Sequence, residues 1–206
     1  MKNTIITISR QYGSGGREIG KRLAEQLGIP FYDNELITIA AKKSGYAEAV
    51  FEQADQKPAG SLLYSLSMFS SAVGTFDLPL NDKIFLVQSD IIKEVAAKGS
   101  CVIVGRCADY VLRDNPDCVN VFIHGNLADR VEWAIRENDI DPEKAREMVL
   151  KTDKRRATYY NYYTSLKFGA AENYHLCINS SAVGRDGAVE VIRKYIDKKQ
   201  ANADAK

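Results

Sequence analysis

The glycine-rich stretch near the start of the chain has the residue types of a phosphate-binding loop. Residues 4–9 are mostly β-branched and apolar, and residues 13–16 read Gly-Ser-Gly-Gly. Beyond the glycines, Ile19, Leu23 and Leu27 recur at helical spacing. A strand that passes through glycines into a helix directs backbone N–H groups and a helix N-terminus toward one point, which suits a phosphate. We therefore expect a phosphate-bearing ligand at residues 13–17.

This stretch departs from the P-loop pattern GxxxxGK[ST] at the residues that carry its chemistry. The chain has Arg10 at the position of the first glycine, and Gly16 and Arg17 at the positions of the lysine and the hydroxyl residue. Arg17 is the favoured substitute for the missing cation, because a guanidinium binds phosphate oxygens as a fork, and Arg10 is the second candidate. Residues 15–21 also spell GxxxxGK, but Lys21 falls inside the predicted helix, so we interpret this match as accidental.

Polar residues also follow two other predicted strands. Phe31–Tyr32 ends at Asp33, and Cys101–Val104 ends at Gly105 and Arg106. Ligands of parallel sheets bind beyond the carboxyl ends of the strands. Asp33 fits either a substrate-binding carboxylate or a helix N-cap, whereas the position of Arg106 favours a site over a surface ion pair.

The elements that position these residues alternate along the chain. Apolar runs predict strands at 4–9, 31–32, 101–104, 119–123 and 176–179. Amphipathic patterns predict intervening helices that begin near residues 17, 34, 82, 126 and 141, a helix near 62–72, and a last helix followed by a frayed polar tail at 199–206. The alternation indicates an α/β fold with a five-stranded parallel sheet covered by helices on both faces.

Four segments of the sequence together resemble the cytidylate kinase-like family of P-loop proteins: residues 8–19, 31–33, 104–109 and 153–156. They occur in the family's order over nearly the whole chain. The resemblance implies a three-layer P-loop kinase fold in a single domain, residues 1–206, with a helical acceptor-binding insertion at 34–82 and an arginine-bearing lid at 150–172. It also implies an ATP-dependent phosphotransferase of nucleoside monophosphate kinase type that uses Mg²⁺ and acts on CMP or dCMP.

The resemblance and the residue types together assign roles to individual side chains. The donor phosphates are expected against Arg10, Gly13, Ser14, Gly15, Gly16 and Arg17. The acceptor is expected against Asp33, Arg106 and Asp109. Arg155 and Arg156 would close over the transferring group, so the predicted catalytic residues are Arg17, Arg155 and Arg156. Mg²⁺ is expected on nucleotide oxygens and water with help from Ser14 or a carboxylate, and no separate metal site is predicted.

Composition argues against several other classes. The 206 residues include 28 Lys and Arg against 27 Asp and Glu, and a net charge of +1 does not indicate a nucleic-acid or anionic-membrane binder. No apolar run approaches the roughly 20 residues that span a bilayer, so we expect a cytoplasmic protein whose partners are small nucleotides or phosphate acceptors. The cysteines, at 101, 107, 118 and 177, form no CxxC pair and are interpreted as packing residues.

Two other classes remain compatible with the sequence. A dinucleotide-dependent oxidoreductase fits the glycines, Asp33 about 20 residues further on, and the spacing of Tyr163 and Lys167, although Glu18 occupies the third glycine position. A nucleotide-binding protein without transfer activity fits the missing lysine. The tyrosine cluster at 159–163 predicts packing of the lid or a subunit contact, which leaves a homodimer open.

Overall fold

A parallel sheet between two layers of helices forms the framework of the protein. The computed structural model describes residues 3–33, 79–138 and 140–204. Within them the strands are β1 (Ile5–Arg10), β2 (Phe31–Tyr32), β3 (Cys101–Val104), β4 (Cys118–His124) and β5 (Leu176–Asn179). The described helices are α1 (Gly16–Leu27), α2 (Leu80–Ala97), α3 (Ala108–Val111), α4 (Leu127–Asn138), α5 (Pro142–Thr164) and α6 (Ser180–Asp204), with a 3₁₀ turn at Ala171–Asn173.

The sheet has the strand order β2-β3-β1-β4-β5, and every pairing in it is parallel. In the register, Ile8 of β1 pairs with Val104 of β3 on one side and with Val121 of β4 on the other. The segment that follows β1 therefore emerges at the centre of the carboxyl edge. The dinucleotide-binding order, 3-2-1-4-5-6, differs because it places β2 between β1 and β3.

Both faces of the sheet are buried, which is why its strands read as continuous apolar runs. On one face Ile6 and Ile8 of β1 pack with residues of α1 and α6, among them Ile19, Leu23 and Ile192. On the other face Ile5 and Ile103 pack against α2 and α3 through Ile91, Ile92 and Leu112. Each such side chain stabilises the fold by about 1.5–3 kcal/mol, so the sheet is a rigid base for the segments at its edge.

Local stop and start signals are confirmed at two helices. Gly28, with a φ of 64°, ends α1 in the left-handed conformation that glycine adopts readily. The Asp141 carboxylate accepts a hydrogen bond from the backbone N–H of Glu143 at 3.0 Å, and Pro142 occupies the first position of α5. The sequence therefore locates these boundaries through local chemistry alone.

The prediction of a frayed tail at 199–206 is wrong for residues 199–204, because α6 continues to Asp204. Lys199 donates to the carbonyl oxygens of Pro116 and Cys118, both at 2.8 Å, and Gln200 donates to the Thr4 hydroxyl at 2.8 Å. These polar side chains bind the amino-terminal ends of β1 and β4. The polar composition of this segment suggested that its side chains face solvent, but their hydrogen-bond partners lie far away in the sequence.

Several sequence predictions lie outside the described residues: the helix that follows Asp33, the helix near 62–72 and nearly all of the insertion at 34–82. In the ranges that are described, no helix combines the length and apolar character needed to cross a membrane. Cys101, Cys107 and Cys118 are buried and unbridged, and burial raises the pKa of the Cys107 and Cys118 thiols to about 12. These three cysteines are packing residues, as predicted.

Candidate active site

The glycine loop, residues 11–15, turns directly into the N-terminus of α1. Gly13 and Gly15 have φ values of 78° and 75°, in the left-handed region where other residues are strained. Gly15 is the N-cap of α1 and has no side chain with which to cap the first helical N–H groups. These N–H groups remain available to a ligand, and the helix dipole favours an anion at this end.

Side chains hold the glycine loop on the edge of the sheet. The Ser14 hydroxyl, only 4% exposed, faces the carbonyl oxygens of Gln11 at 2.9 Å and Ile123 at 3.1 Å. From the other side, the Ser180 hydroxyl donates to the Ser14 carbonyl at 2.8 Å. The Ser14 side chain therefore fixes the shape of the loop and is directed into the protein.

A buried ion pair that the sequence analysis missed clamps the same loop to α5. Arg130, 5% exposed, lies 2.6 Å from one carboxylate oxygen of Asp153 and also donates to the Tyr12 carbonyl at 3.0 Å. The other Asp153 oxygen accepts from the Tyr12 backbone N–H at 2.6 Å. The clamp satisfies both charges with backbone groups of the loop. The 23-residue separation of its two members gave no local signal.

A cavity of about 340 Å³ lies beside the loop and is lined by four arginines, Arg10, Arg106, Arg155 and Arg156. Burial, followed by the charges of Arg156 and Arg106, lowers the pKa of Arg10 to about 9. Burial also lowers the pKa of Arg156, whose guanidinium donates to the Arg10 carbonyl at 3.1 Å. So much positive charge on one cavity makes it a receptor for an anion with several negative charges.

The turn after β3 aims Arg106 into this arginine cavity. Gly105, Arg106 and Cys107 have φ values of 80°, 56° and 54°, three left-handed residues in succession. Left-handed conformations at non-glycine residues are costly and concentrate at functional sites. The Arg106 guanidinium carbon lies 5.6 Å from the centre of the Tyr159 ring on α5. This turn therefore brings a residue that follows β3 into contact with the predicted lid.

Arg17 and Asp33 form an ion pair on the α1 side of the site. The Arg17 Nε and Nη2 atoms lie 2.7 and 2.6 Å from the same Asp33 oxygen. The side chain of Arg17 is 61% exposed, whereas that of Asp33 is 7% exposed. Both predicted residues thus lie at the site, but they bind each other. The charge of Asp33 also offsets part of the repulsion on Arg10.

Asp109 lies beneath the arginine cavity. Its carboxylate is 4% exposed, accepts a hydrogen bond from the Tyr160 hydroxyl at 2.7 Å and lies 3.5 Å from the Ser9 hydroxyl. Burial raises the pKa of Asp109. These contacts tie α5 to the end of β1. The acceptor-binding role of Asp109 stays a prediction, since its two carboxylate oxygens both face protein hydroxyls.

A second cavity, of about 300 Å³, lies on the opposite side of the glycine loop. It is lined by Gly13 and Ser14 and by residues of α4 and α6, among them Trp133, Arg136, Gly184 and Arg185. The Arg185 guanidinium pairs with Glu18 and lies 6.0 Å from the Trp133 ring centre. A flat aromatic ring and a guanidinium both stack on nucleobases. The sequence analysis missed these residues, although the chain's single tryptophan was a signal.

A third cavity, of about 870 Å³, continues from the arginine cavity, with which it shares Arg106, Arg155 and Tyr159. Gln88 of α2 lines it and is 2% exposed, and its side-chain oxygen has no hydrogen-bond partner within the described ranges. An unpaired buried amide oxygen is costly, and it can accept a hydrogen bond from a ligand. Gln88 is therefore a candidate ligand-recognition residue that the sequence analysis missed.

The tyrosine cluster at 159–163 packs α5 against α2. Tyr163 stacks on Phe85 with ring centres 4.0 Å apart, and its hydroxyl donates to Asp82 at 3.0 Å. This arrangement agrees with the predicted packing of the lid.

The GxxxxGK match at residues 15–21 is accidental, as predicted, because the Lys21 side chain is 63% exposed and lies 3.9 Å from Glu25 on the outer face of α1.

Fold and site together define the class of protein: a P-loop kinase fold, with a glycine loop between β1 and α1 and arginines of a long helix above it. Shikimate kinase from Bacteroides thetaiotaomicron has this fold, with a TM-score of 0.54 at 13% identity over 94% of this chain and 98% of that one. At such low identity the likeness concerns the fold alone.

The model of the cytidylate kinase-like family matches residues 5–182, and the chain belongs to that family. A cytidylate kinase from Ignicoccus hospitalis is 25% identical over 193 residues, which cover 94% of this chain and 99% of that protein. The crystal structure of an uncharacterized protein from Eubacterium ventriosum has a TM-score of 0.73 at 32% identity, covering 94% of this chain and 98% of that chain. The dinucleotide oxidoreductase alternative has no support in these matches.

Proposed function

We propose that the protein is an ATP-dependent phosphotransferase of nucleoside monophosphate kinase type, with CMP or dCMP as its acceptor. The observation that carries the proposal is the pair of cavities on opposite sides of one glycine loop, with an arginine cluster on one side. A phosphoryl-transfer enzyme needs this arrangement, because donor and acceptor must approach one point from two directions. The family membership and the named kinases among the relatives support the same activity.

The donor nucleotide fits the cavity between α4 and α6. Trp133 and Arg185 would hold the base, and the uncapped N–H groups at the start of α1 would receive the phosphates. This arrangement places the end of the phosphate chain near Gly15 and Gly16, beside the arginine cavity.

The acceptor fits the arginine cavity and its extension toward α2. Arg106 would bind the phosphate of the acceptor, and the Gln88 amide would contact the base edge in the larger cavity. An amide oxygen accepts from the amino group of cytosine, while the amide N–H₂ donates to the ring nitrogen beside it. Adenine presents the same amino group beside a ring nitrogen, so the Gln88 amide fits both bases, and the choice of a cytosine nucleotide rests on the family and on the relatives named as cytidylate kinases.

Magnesium would enter with the nucleotide. In the part of the chain that the structure describes, no three His, Cys, Asp or Glu residues gather as a metal site, and the Ser14 hydroxyl faces two carbonyls. This donor set suits an ion that keeps several waters and binds mainly to phosphate oxygens. Asp33 is a carboxylate beside both Arg10 and Arg17, in a position to hold one of those waters. When bound, the ion would neutralise charge on the donor phosphates.

A coupled ADP-release assay across nucleoside monophosphates tests the proposal. We expect ADP release with CMP or dCMP above that with UMP, AMP or GMP. Arg106→Ala should raise the acceptor KM while ATP affinity, measured by calorimetry, stays unchanged. Arg113→Ala is the matched control, since Arg113 is an exposed arginine outside the three cavities.

The outcomes separate the candidate functions. ATP binding without ADP release for any acceptor would favour the nucleotide-binding protein that lacks transfer activity. Absence of ATP binding would reject the kinase proposal altogether. Release of ADP only with acceptors that carry no phosphate would retain a kinase but overturn the monophosphate acceptor.

A further inference from the structure

Two positions that depart from the P-loop pattern, 10 and 16, flank the glycine loop and are in contact with each other. Arg10 replaces the first glycine of the pattern, and Gly16 replaces its lysine. A Cβ atom on Gly16 would lie 2.6 Å from the Cβ and 3.0 Å from the Cγ of Arg10. Real Cβ atoms do not approach so closely, so side chains at positions 10 and 16 exclude each other. The chain can place a cation at only one of the two positions.

The structure also shows where the Arg10 side chain goes. From the end of β1 it passes the Cα of Gly16 and reaches the turn after β3, where a Cβ on Gly105 would overlap the Arg10 Nη1 atom. The Cβ and Cγ atoms of Arg10 therefore occupy the space in which a side chain at position 16 would begin. Its guanidinium lies at the wall of the arginine cavity, beside the glycine loop.

The charge environment of Arg10 is that of a ligand-binding cation. Among the charged residues that act on it, Arg156, Arg106 and Arg17 oppose its charge, whereas Asp33 favours it. Arg17 differs, because both of its nearest guanidinium nitrogens lie on Asp33 and its side chain is largely exposed. A polyphosphate would relieve the repulsion around Arg10 and would gain less from Arg17.

We propose that Arg10 binds the β- and γ-phosphates of the donor nucleotide in place of the P-loop lysine. Relative to the P-loop pattern, the glycine and the cation have exchanged positions, so that the cation is at position 10 and the glycine is at position 16. This inference rests on the proposed kinase function. Arg17 then has a different role and positions Asp33 at the acceptor side of the site.

Calorimetric titration of single variants with ATP, ADP, AMP and inorganic tripolyphosphate tests the role of Arg10. Arg10→Met keeps the length of the aliphatic stem and removes the charge. We expect it to weaken binding of ATP and tripolyphosphate by about 10- to 100-fold, the range of a charge-assisted hydrogen bond, with little change for AMP. Arg10→Lys should recover part of the loss. Arg193→Met, on the exposed face of α6, is the matched control and should bind as the wild type does.

A double variant tests the exchange itself. Arg10→Gly removes the atoms that a side chain at position 16 would strike, and the next atom in its way, Ile123 Cβ, is at an ordinary 3.5 Å. We expect Arg10→Gly alone to lose ATP binding and Arg10→Gly combined with Gly16→Lys to regain it. A folded double variant that binds ATP no better than Arg10→Gly would overturn the exchange.

Other results would overturn the phosphate-binding role. Unchanged ATP affinity in Arg10→Met, together with a tenfold or larger loss in Arg17→Ala, would transfer the role to Arg17. Unchanged ATP affinity with a raised acceptor KM would place Arg10 on the acceptor instead. Equal binding of tripolyphosphate by the wild type and by Arg10→Met, or no binding of it by the wild type, would also overturn the assignment. Turnover of the wild type decides the proposed function separately, because the binding titrations need no acceptor.

Discussion

Gly15 illustrates how single residues shape the donor side of the site. Its φ of 75° is strained for a side chain, and a Cβ there would lie 2.8 Å from the Nε atom of Arg185. We expect Gly15→Val to abolish ATP binding in a folded protein, because the branched side chain blocks the loop and displaces Arg185 from the cavity. Gly28→Val is the matched control, since Gly28 has a similar φ of 64° but nothing within 4 Å.

Both variants should lose about 1–2 kcal/mol of stability from the left-handed backbone, and only Gly15→Val should lose the nucleotide. Circular dichroism checks the fold and calorimetry checks the affinity. Wild-type ATP affinity in folded Gly15→Val would remove the glycine loop from the site.

At the scale of residues, the sequence predicted the types of side chain at the site better than their partners. The glycines, Arg10, Arg106 and Asp33 all lie where parallel strands end, as expected. The sequence favoured Arg17 over Arg10 as the phosphate cation because Arg17 lies at the predicted start of the helix. The Arg17 partner, Asp33, is 16 residues away, and the contact of Arg10 with α5 spans 146 residues, so no local pattern could rank them.

At the scale of elements, α5 joins the glycine loop, the end of β1 and Asp109. Asp153 holds the glycine loop, Arg156 donates to the Arg10 carbonyl, and Tyr160 donates to Asp109. The start of this helix was predicted from Asp141 and Pro142. The contacts of α5 were not predicted, because a charge run such as 153–156 is usually solvated. Only tertiary packing shows which of its side chains turn inward.

Arginines of α5 should matter for the transfer step more than for ATP binding. Arg155 is exposed, Arg156 is half-buried, and both line the arginine cavity rather than the cavity between α4 and α6. If they bind the transferring group most tightly in the transition state, Arg155→Ala and Arg156→Ala should lower kcat by tenfold or more and leave ATP affinity nearly unchanged.

Steady-state kinetics with the acceptor identified in the ADP-release assay measures this effect. Arg146→Ala, at an exposed arginine between two and three turns earlier on the same helix, is the control for helix stability. If both α5 variants turn over as fast as the wild type does, the two arginines belong to a solvated helix face and the lid assignment is wrong.

At the scale of the whole molecule, the net charge of +1 conceals a strongly uneven distribution of charged side chains. On the described surface, opposite charges form ion pairs such as Arg22 with Glu18 and Lys98 with Glu94, whereas Arg156 and Arg106 act on Arg10 as like charges. A net charge of +1 does not indicate where an anion would bind, and the fold determines where the positive charge gathers. A site preorganised for a ligand in this way reduces the stability of the free protein.

Removal of the Arg10 charge should therefore stabilise the free protein while it impairs binding. The pKa of Arg10 is lowered to about 9, which is still above neutral pH, so at pH 7 the group is charged and the repulsion is fully expressed. Because burial and the neighbouring arginines lower the folded-state pKa below that of the unfolded chain, the charged guanidinium destabilises the folded protein fully below about pH 9, and this cost is relieved as the pH rises above that value. We expect Arg10→Met to raise the free energy of unfolding in urea at pH 7 by about 0.5–2 kcal/mol.

The same measurement with pyrophosphate should reverse the order of the two proteins. At 100 times its dissociation constant, a ligand that binds only the folded state adds about 2.7 kcal/mol, which should exceed the gain from the substitution. In a chain of this size each kcal/mol corresponds to about 2–4 °C in Tm, so thermal unfolding with and without pyrophosphate can resolve both effects. Arg193→Met should follow the wild type under both conditions. If Arg10→Met is less stable than the wild type without anion, Arg10 is a packing residue whose contacts outweigh its repulsion, and the arginine cavity is not a charged site held ready for phosphate.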